Sequence, residues 1–290
     1  MLKMVISCIF VSMSKRFIRT YIEISDFCGL SCPFCPAPKG RRGEMGLKLF
    51  ERVCSEVALL TQSVTFHLLG DPLYLSNFPL YLQIAQNYNL DVEIVTSGVY
   101  LSKFEKSLLL SSPIKQISIS LSALEVLNKQ TQERIVQECL ELIATHQELS
   151  SQTYINLRMH ADKLNPLLAQ RLVRHFGVEN DLVQRKRVRL AYKVFLILTK
   201  SFKWVRAKEE SRNTEVRKKC HGLLSQIGIL ANGVVVPCCI DCDGGIELGN
   251  VKTQSLQEIL NSPRALKIIE GFKTNTAVEE QCKRCTYPAT

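Results

Sequence analysis

Cys28, Cys32 and Cys35 stand close together in the chain, spaced C-x3-C-x2-C. Thiolates are the soft ligands that iron-sulfur clusters take, and three of them can hold three corners of a cubane. The fourth iron is then left without a protein ligand, a place where a small molecule can bind and receive an electron. A zinc site would need a fourth ligand, and no His or further Cys follows before Cys54. Gly29 after the first cysteine, and Pro33 and Pro36 after the second and third, suit a loop folded tightly around such a group. A second set lies toward the other end: Cys220 and Cys238, spaced C-x17-C, then Cys282 and Cys285 as C-x2-C. Four thiolates are enough to close a cluster completely, although the same four suit tetrahedral zinc. Cys239 or Cys242 could replace Cys238 or add a ligand.

These residues need elements to position them. From residue 17 onward, short apolar runs alternate with longer segments of helical spacing, which predicts repeated strand-helix units around a parallel sheet. Strands are expected at 20–25, 64–69, 91–96, 116–121, 154–159 and 181–189, and helices at 46–60, 78–88, 102–110, 131–148 and 165–176. Cys8, Cys54 and Cys139 fall in apolar or helical contexts and read as core residues.

The C-x3-C-x2-C loop directly after the apolar strand Tyr21-Ile22-Glu23-Ile24, with aromatic Phe34 before its third cysteine, resembles the signature of the radical S-adenosylmethionine (SAM) superfamily. The resemblance implies an α/β fold, a partial (β/α)6 TIM-like barrel with its active face at the C-terminal strand ends. It also implies a 4Fe-4S cluster on Cys28, Cys32 and Cys35 whose open iron chelates SAM. One electron, from a donor such as flavodoxin or ferredoxin, would then cleave the sulfonium to a 5'-deoxyadenosyl radical. The C-terminal cysteines resemble the twitch domain, the shortened SPASM extension. There a Gly-x4-Cys hairpin, here Gly233 to Cys238, and a terminal C-x-x-C hold one auxiliary 4Fe-4S cluster. Leu248-Gly249-Asn250-Val251 and the segment 255–260 look like the turn and helix of that group. Five residues follow Cys285, so one auxiliary cluster rather than two is expected.

The resemblance assigns further residues. Gly70-Asp71-Pro72 stands where relatives carry a turn that binds the SAM amino group, and the Phe34 backbone would lie against the adenine. Thr96 opens a Thr-Ser-Gly turn similar to one in many relatives. Ser120 and Ser122 would meet the SAM ribose or carboxylate. Arg158 could bind a SAM or substrate carboxylate, and His160 or His67 could accept the proton lost after hydrogen abstraction. Each also has a plain structural reading, as a turn, a lumen hydroxyl or a packed strand histidine.

The expected organisation is an N-terminal extension (1–16), a barrel (17–205) and a twitch-like domain (206–290). The chain has 290 residues, 46% hydrophobic and 22% charged, an ordinary globular composition. Twelve cysteines in short-spaced groups favour metal ligation in a reducing compartment, hence a cytoplasmic location. The apolar run at 4–11 lacks a following small-x-small cleavage site and is too short to span a bilayer, so neither export nor membrane anchoring is expected; translation from Met13 is an alternative. Residues 185–219 hold thirteen Lys/Arg against three Glu, equal to the whole chain's net +10. Such a field would attract an acidic metabolite, a peptide or RNA, with Trp204 and its aromatic neighbours able to stack on bases. The competing reading, favoured here, is a buried strand or hairpin at 192–198 with solvated basic flanks. The functional expectation is a radical SAM oxidoreductase or peptide-modifying enzyme. The alternatives are an RNA-modifying radical SAM enzyme and a non-catalytic zinc or iron-sulfur protein.

Overall fold

The computed structural model describes residues 15–36, 42–163, 165–178, 186–202, 204 and 219–287. Cys8, the apolar run before Met13, residues 181–185 of the expected sixth strand and most of 203–218 lie outside the described residues.

Strand and helix alternate from β1 (Arg19–Ile22) through α1 (Leu47–Val57), β2 (Ser63–Phe66), α2 (Phe78–Asn87), β3 (Asp91–Thr96) and α3 (Lys106–Leu109). They continue through β4 (Ile114–Ser120), α4 (Lys129–Glu148), β5 (Tyr154–His160) and α5 (Pro166–His175). A hairpin of β6 (Arg187–Ala191) and β7 (Val194–Thr199) follows. The C-terminal part holds β8 (Gln226–Ile229), β9 (Val234–Val236), β10 (Gly249–Asn250), α6 (Leu256–Leu260), α7 (Pro263–Lys273) and α8 (Glu280–Arg284).

One ten-stranded sheet carries all of it, in the order β10-β9-β8-β1-β2-β3-β4-β5-β7-β6. β1, β2, β3, β4, β5 and β7 are parallel neighbours, the six strands of a partial barrel. β8 adds in parallel to the free edge of β1, and β9 and β10 continue antiparallel. The C-terminal cysteine hairpin is therefore an extension of the sheet that carries the N-terminal cysteine loop.

Two expected elements differ. The sixth barrel strand is Val194–Thr199 rather than 181–189, because the chain crosses to a new edge only after the antiparallel turn at Tyr192 and Lys193. The hairpin reading of 192–198 is thus the observed one: Val194 and Leu196 are buried, and Arg187 lies over the Phe195 ring at 3.6 Å. The helix expected at 102–110 is broken into a 3-10 turn, Leu101–Lys103, and the short α3.

The helices bury one stripe each. In α1, Phe50, Val53, Cys54 and Val57 recur at i, i+3, i+4 and i+7, and Phe50 meets Phe66 of β2 edge-on at 5.5 Å. Asn128 caps α4 by accepting from the Thr131 amide, and Ser255 with Glu258 forms a reciprocal capping box on α6. Cys54 and Cys139 are buried core residues, as expected. Each fully buried aliphatic or aromatic side chain of this layer contributes roughly 1.5–3 kcal/mol.

Alternation along the strands sends Ile117, Ile119, Ile155 and Leu157 to the helices and Thr65, Ser118, Asn156 and Arg158 to the other, lumen side. At the N-terminal end of the strands Glu93 closes the lumen, accepting from Arg19 at 3.0 Å and Gln116 at 3.2 Å. The polar residues above that layer face the C-terminal strand ends.

Candidate active site at the C-terminal strand ends

The cysteine loop leaves β1 through Glu23 to Phe27. Gly29 takes φ +76°, and an added Cβ would come within 2.4 Å of the Tyr100 hydroxyl. That hydroxyl donates to the Cys28 carbonyl at 3.0 Å. A turn bonded from the Cys35 amide to the Cys32 carbonyl, 3.0 Å, presents the last two cysteines together. Cys28 and Cys32 are half-buried and Cys35 is exposed. Burial, reinforced by the nearby Asp71, pushes the Cys28 thiol up to about 12. Burial also raises Cys32. A metal-free loop therefore holds protonated thiols, and loading must expel those protons.

The Gly70-Asp71-Pro72 turn is packed against the root of this loop. Gly70, at φ +75°, brings its Cα so close that a Cβ would sit 2.2 Å from the Ser25 carbonyl oxygen. The Asp71 amide donates to the Phe27 carbonyl at 2.8 Å. The Asp71 carboxylate is buried and already engaged within the fold. One oxygen accepts from the Leu73 amide at 3.0 Å, capping a 3-10 turn over Pro72–Tyr74. The other accepts from Thr96 Oγ1 at 2.9 Å, the Ser97 amide at 2.8 Å and Ser97 Oγ at 2.6 Å. Asp71 and Thr96 thus bind β1, β2 and β3 together at the strand ends.

The remaining predicted residues line the same rim. Ser120 ends β4 beside Arg158 on β5. Ser122 lies one turn further, in a 3-10 segment, where its Oγ accepts from the His160 amide at 2.8 Å. The His160 ring meets Phe34 edge-on, centroids 4.6 Å apart, which ties the β5 end to the cysteine loop. The Phe34 carbonyl accepts from Trp204 Nε1 at 2.9 Å, and Trp204 leads through Phe202 to Tyr287, beside the last cysteines. His67 faces Arg158 inside the lumen. Burial, and then the Arg158 charge, lower its pKa to about 4, so it is neutral at pH 7. Burial likewise lowers the Arg158 pKa, and its electrostatic neighbours are Tyr287, Tyr21 and Cys239. No carboxylate among the described residues pairs with it.

The C-terminal thiols converge from three segments. The β8–β9 hairpin turns at Gly233, φ +89°, and delivers Cys238. The Gly222 amide points at Cys220 Sγ, 3.4 Å away. Asp241 accepts from the Gly245 and Ile246 amides, both at 2.8 Å, and from Gln281 Nε2 at 2.9 Å, which locks helix α8 and its Cys282 onto the hairpin. Burial raises Cys238 well above an ordinary thiol, with Cys239, Cys220 and Cys282 adding to it. Cys282 is raised the same way, with Cys220 and Cys285 beside it. Burial raises Cys239 to about 11, with Tyr21, Arg19 and Cys220 as electrostatic neighbours, and burial raises Cys242 with Asp243, Asp241, Cys35 and Arg42 around it. In donor type, soft thiols at both places fit an iron-sulfur group, which spreads its ligands over separate irons. Among the described residues, no three His, Cys, Asp or Glu side chains converge on a single ion.

One organising residue escapes the sequence reading. Glu23 is 1% exposed and accepts from both arms of Arg42 and from two backbone amides. The only signal for it is a charge inside an apolar strand.

Residues 220–286 match SPASM, an iron-sulfur cluster-binding domain. No curated protein matches the chain. Among solved structures, BtrN in complex with AdoMet and 2-DOIA superposes with a TM-score of 0.58 at 16% identity, covering 96% of each chain. anSMEcpe with bound AdoMet gives 0.60 at 13% identity, covering 93% of this chain and 86% of that one. SuiB of Streptococcus suis bound to the precursor peptide SuiA gives 0.54 at 15% identity, covering 93% and 71%. The partial-barrel fold and the SPASM/twitch resemblance of the C-terminal cysteines are borne out. No helix among the described residues is long and apolar enough to cross a membrane.

Proposed function

We propose that this chain is a radical SAM enzyme that takes a hydrogen atom from a substrate held at the C-terminal strand ends. The observation that carries this reading is the placement of Cys28, Cys32 and Cys35 at the mouth of a parallel partial barrel, with Cys238 delivered by a hairpin of the same sheet and Cys220 and Cys282 among its electrostatic neighbours. A 4Fe-4S cluster on the N-terminal trio, when bound, supplies SAM with the electron that releases a 5'-deoxyadenosyl radical. Cys220, Cys238, Cys282 and Cys285 would hold an auxiliary 4Fe-4S cluster, a group that would supply an acceptor for one electron from the substrate.

The chain's own residues prepare the site. Gly70 and Asp71 fix the loop root, so that the strand ends around SAM do not shift. Phe34 and His160 form a wall on one side, and Ser120 and Ser122 offer hydroxyl oxygens beside it. Arg158 is half-buried with no carboxylate partner among the described residues, and a guanidinium taken partly out of water is costly, so it is suited to receive a carboxylate of SAM or of the substrate. His67, neutral at pH 7, is a weak base there, because taking a proton would set a second positive charge beside Arg158. Oxidation of a C-H centre in an acidic metabolite is the leading reaction, peptide modification the other, with a flavodoxin or ferredoxin as electron donor.

The test is 5'-deoxyadenosine formation from SAM under dithionite, after anaerobic reconstitution. Wild type is expected to form it and the Cys28/Cys32/Cys35→Ala variant to fall to background. A wild-type protein that loads metal but leaves SAM intact would leave the binding-protein reading in its place.

A further inference from the structure

We infer that the Glu23–Arg42 pair is the positioning unit that sets the N-terminal cysteine loop and the C-terminal cysteine hairpin relative to each other. Glu23 follows β1 and leads into Cys28. Its carboxylate is fully enclosed, a costly place for a charge unless every lone pair is used. Each oxygen takes one arm of the Arg42 fork and one backbone amide. Oε1 accepts from Arg42 Nη2 at 2.6 Å and the Leu69 amide at 3.2 Å. Oε2 accepts from Arg42 Nε at 2.7 Å and the Ala231 amide at 3.0 Å.

The four donors come from three places that matter. Arg42 lies on the return from Cys35, and Asp26 holds its amide and that of Gly43, at 2.6 and 3.1 Å. Leu69 precedes the Gly70-Asp71 turn. Ala231 stands in the turn of the β8–β9 hairpin, on the way to Cys238. Cys242, 3% exposed, lies within electrostatic reach of both Arg42 and Cys35, so the stretch after Cys238 is laid against the same loop. An ion pair serving only the core would bond within one layer. The carboxylate of this one also accepts from the Ala231 amide, 208 residues away in the chain. Its consequence for two-cluster chemistry rests on the proposed function, but the coupling itself belongs to the metal-free chain.

The experiment is thiol alkylation of the metal-free, full-length protein, followed residue by residue by mass spectrometry, in wild type and Glu23→Gln. Labelling of Cys28 and Cys32 and of Cys238 and Cys242 is expected to quicken together, by about tenfold or more, while Cys54 and Cys139 stay protected. Quickening confined to one group, or none, would overturn the inference. Should Cys54 and Cys139 open as well, Arg42→Lys, which keeps the charge and loses the fork, is read by the same criterion. No part of this readout depends on SAM cleavage, so it stands or falls apart from the proposed activity.

Discussion

Cys28, Cys32 and Cys35 come from one short loop, whereas Cys220, Cys238, Cys282 and Cys285 are drawn from three segments over the last third of the chain. The first set leaves Cys35 exposed and opens onto a lumen where Arg158 has no carboxylate partner among the described residues. The four thiols of the second are all half-buried, and burial raises Cys238 and Cys282. A group that must admit a small molecule needs an open ligand position, and a group that only passes an electron is better sealed. The difference in exposure comes down to Cys35: it alone of the seven is exposed, at the mouth of the barrel, and the four later thiols are half-buried.

The largest expected effects separate the two sets. Removing Cys28, Cys32 or Cys35 should bring SAM cleavage to background. Cys238→Ala should lower bound iron by about half yet leave SAM cleavage detectable, and Cys242→Ala should leave iron content unchanged; iron assay and deoxyadenosine chromatography together decide. If Cys242→Ala loses iron as Cys238→Ala does, the placement of the fourth thiol is wrong.

Backbone changes come next. Gly70→Ala puts a Cβ 2.2 Å from a backbone oxygen at φ +75° and should destabilise by on the order of 3 kcal/mol, a Tm fall of about 6–10 °C. Gly233→Ala in the hairpin meets the movable Asn250 side chain at 2.6 Å and should cost only about 1–2 kcal/mol. Thermal unfolding of the metal-free variants orders the two.

The pH effects are smaller. Buried thiols such as Cys28 near 12 and Cys239 near 11 keep their protons when the unfolded chain has lost them. Their contribution to stability is complete below the ordinary thiol pKa and declines as pH rises through those values, so the metal-free Tm should fall between about pH 9 and 12. His67 acts at the other end. Its folded pKa of about 4 lies below the unfolded value, so its share is present above about pH 6.5 and is lost as pH falls toward 4. An imidazole resonance of His67 that titrates near 6.5 would contradict the buried, neutral assignment.

Much of this was readable before any coordinates. Five of the six barrel strands stand within a few residues of their expected places, because alternating strand and helix periods are local properties. The sixth was misplaced because an antiparallel turn at Tyr192 and Lys193 intervenes, and a basic run reads alike whether it flanks a strand or a loop. Spacing alone located both cysteine sets. It does not choose between Cys238, Cys239 and Cys242, since adjacent residues after a strand end point in different directions and spacing does not tell them apart. The sequence reads Asp71 as a ligand of SAM; of the four hydrogen bonds its carboxylate accepts within the fold, the three from Thr96 and Ser97 depend on long-range partners invisible to local pattern. Glu23 was missed for the same reason.

The most direct test of the account is iron and acid-labile sulfide counted per chain, with the electron paramagnetic resonance of the reduced protein, in wild type, the Cys28/Cys32/Cys35→Ala variant and the Cys220/Cys238/Cys282/Cys285→Ala variant. The account predicts about two 4Fe-4S clusters in wild type and about one in each variant, with the signal perturbed by SAM only where the N-terminal trio is intact. Zinc in place of iron, or a single cluster lost from both variants alike, would contradict it.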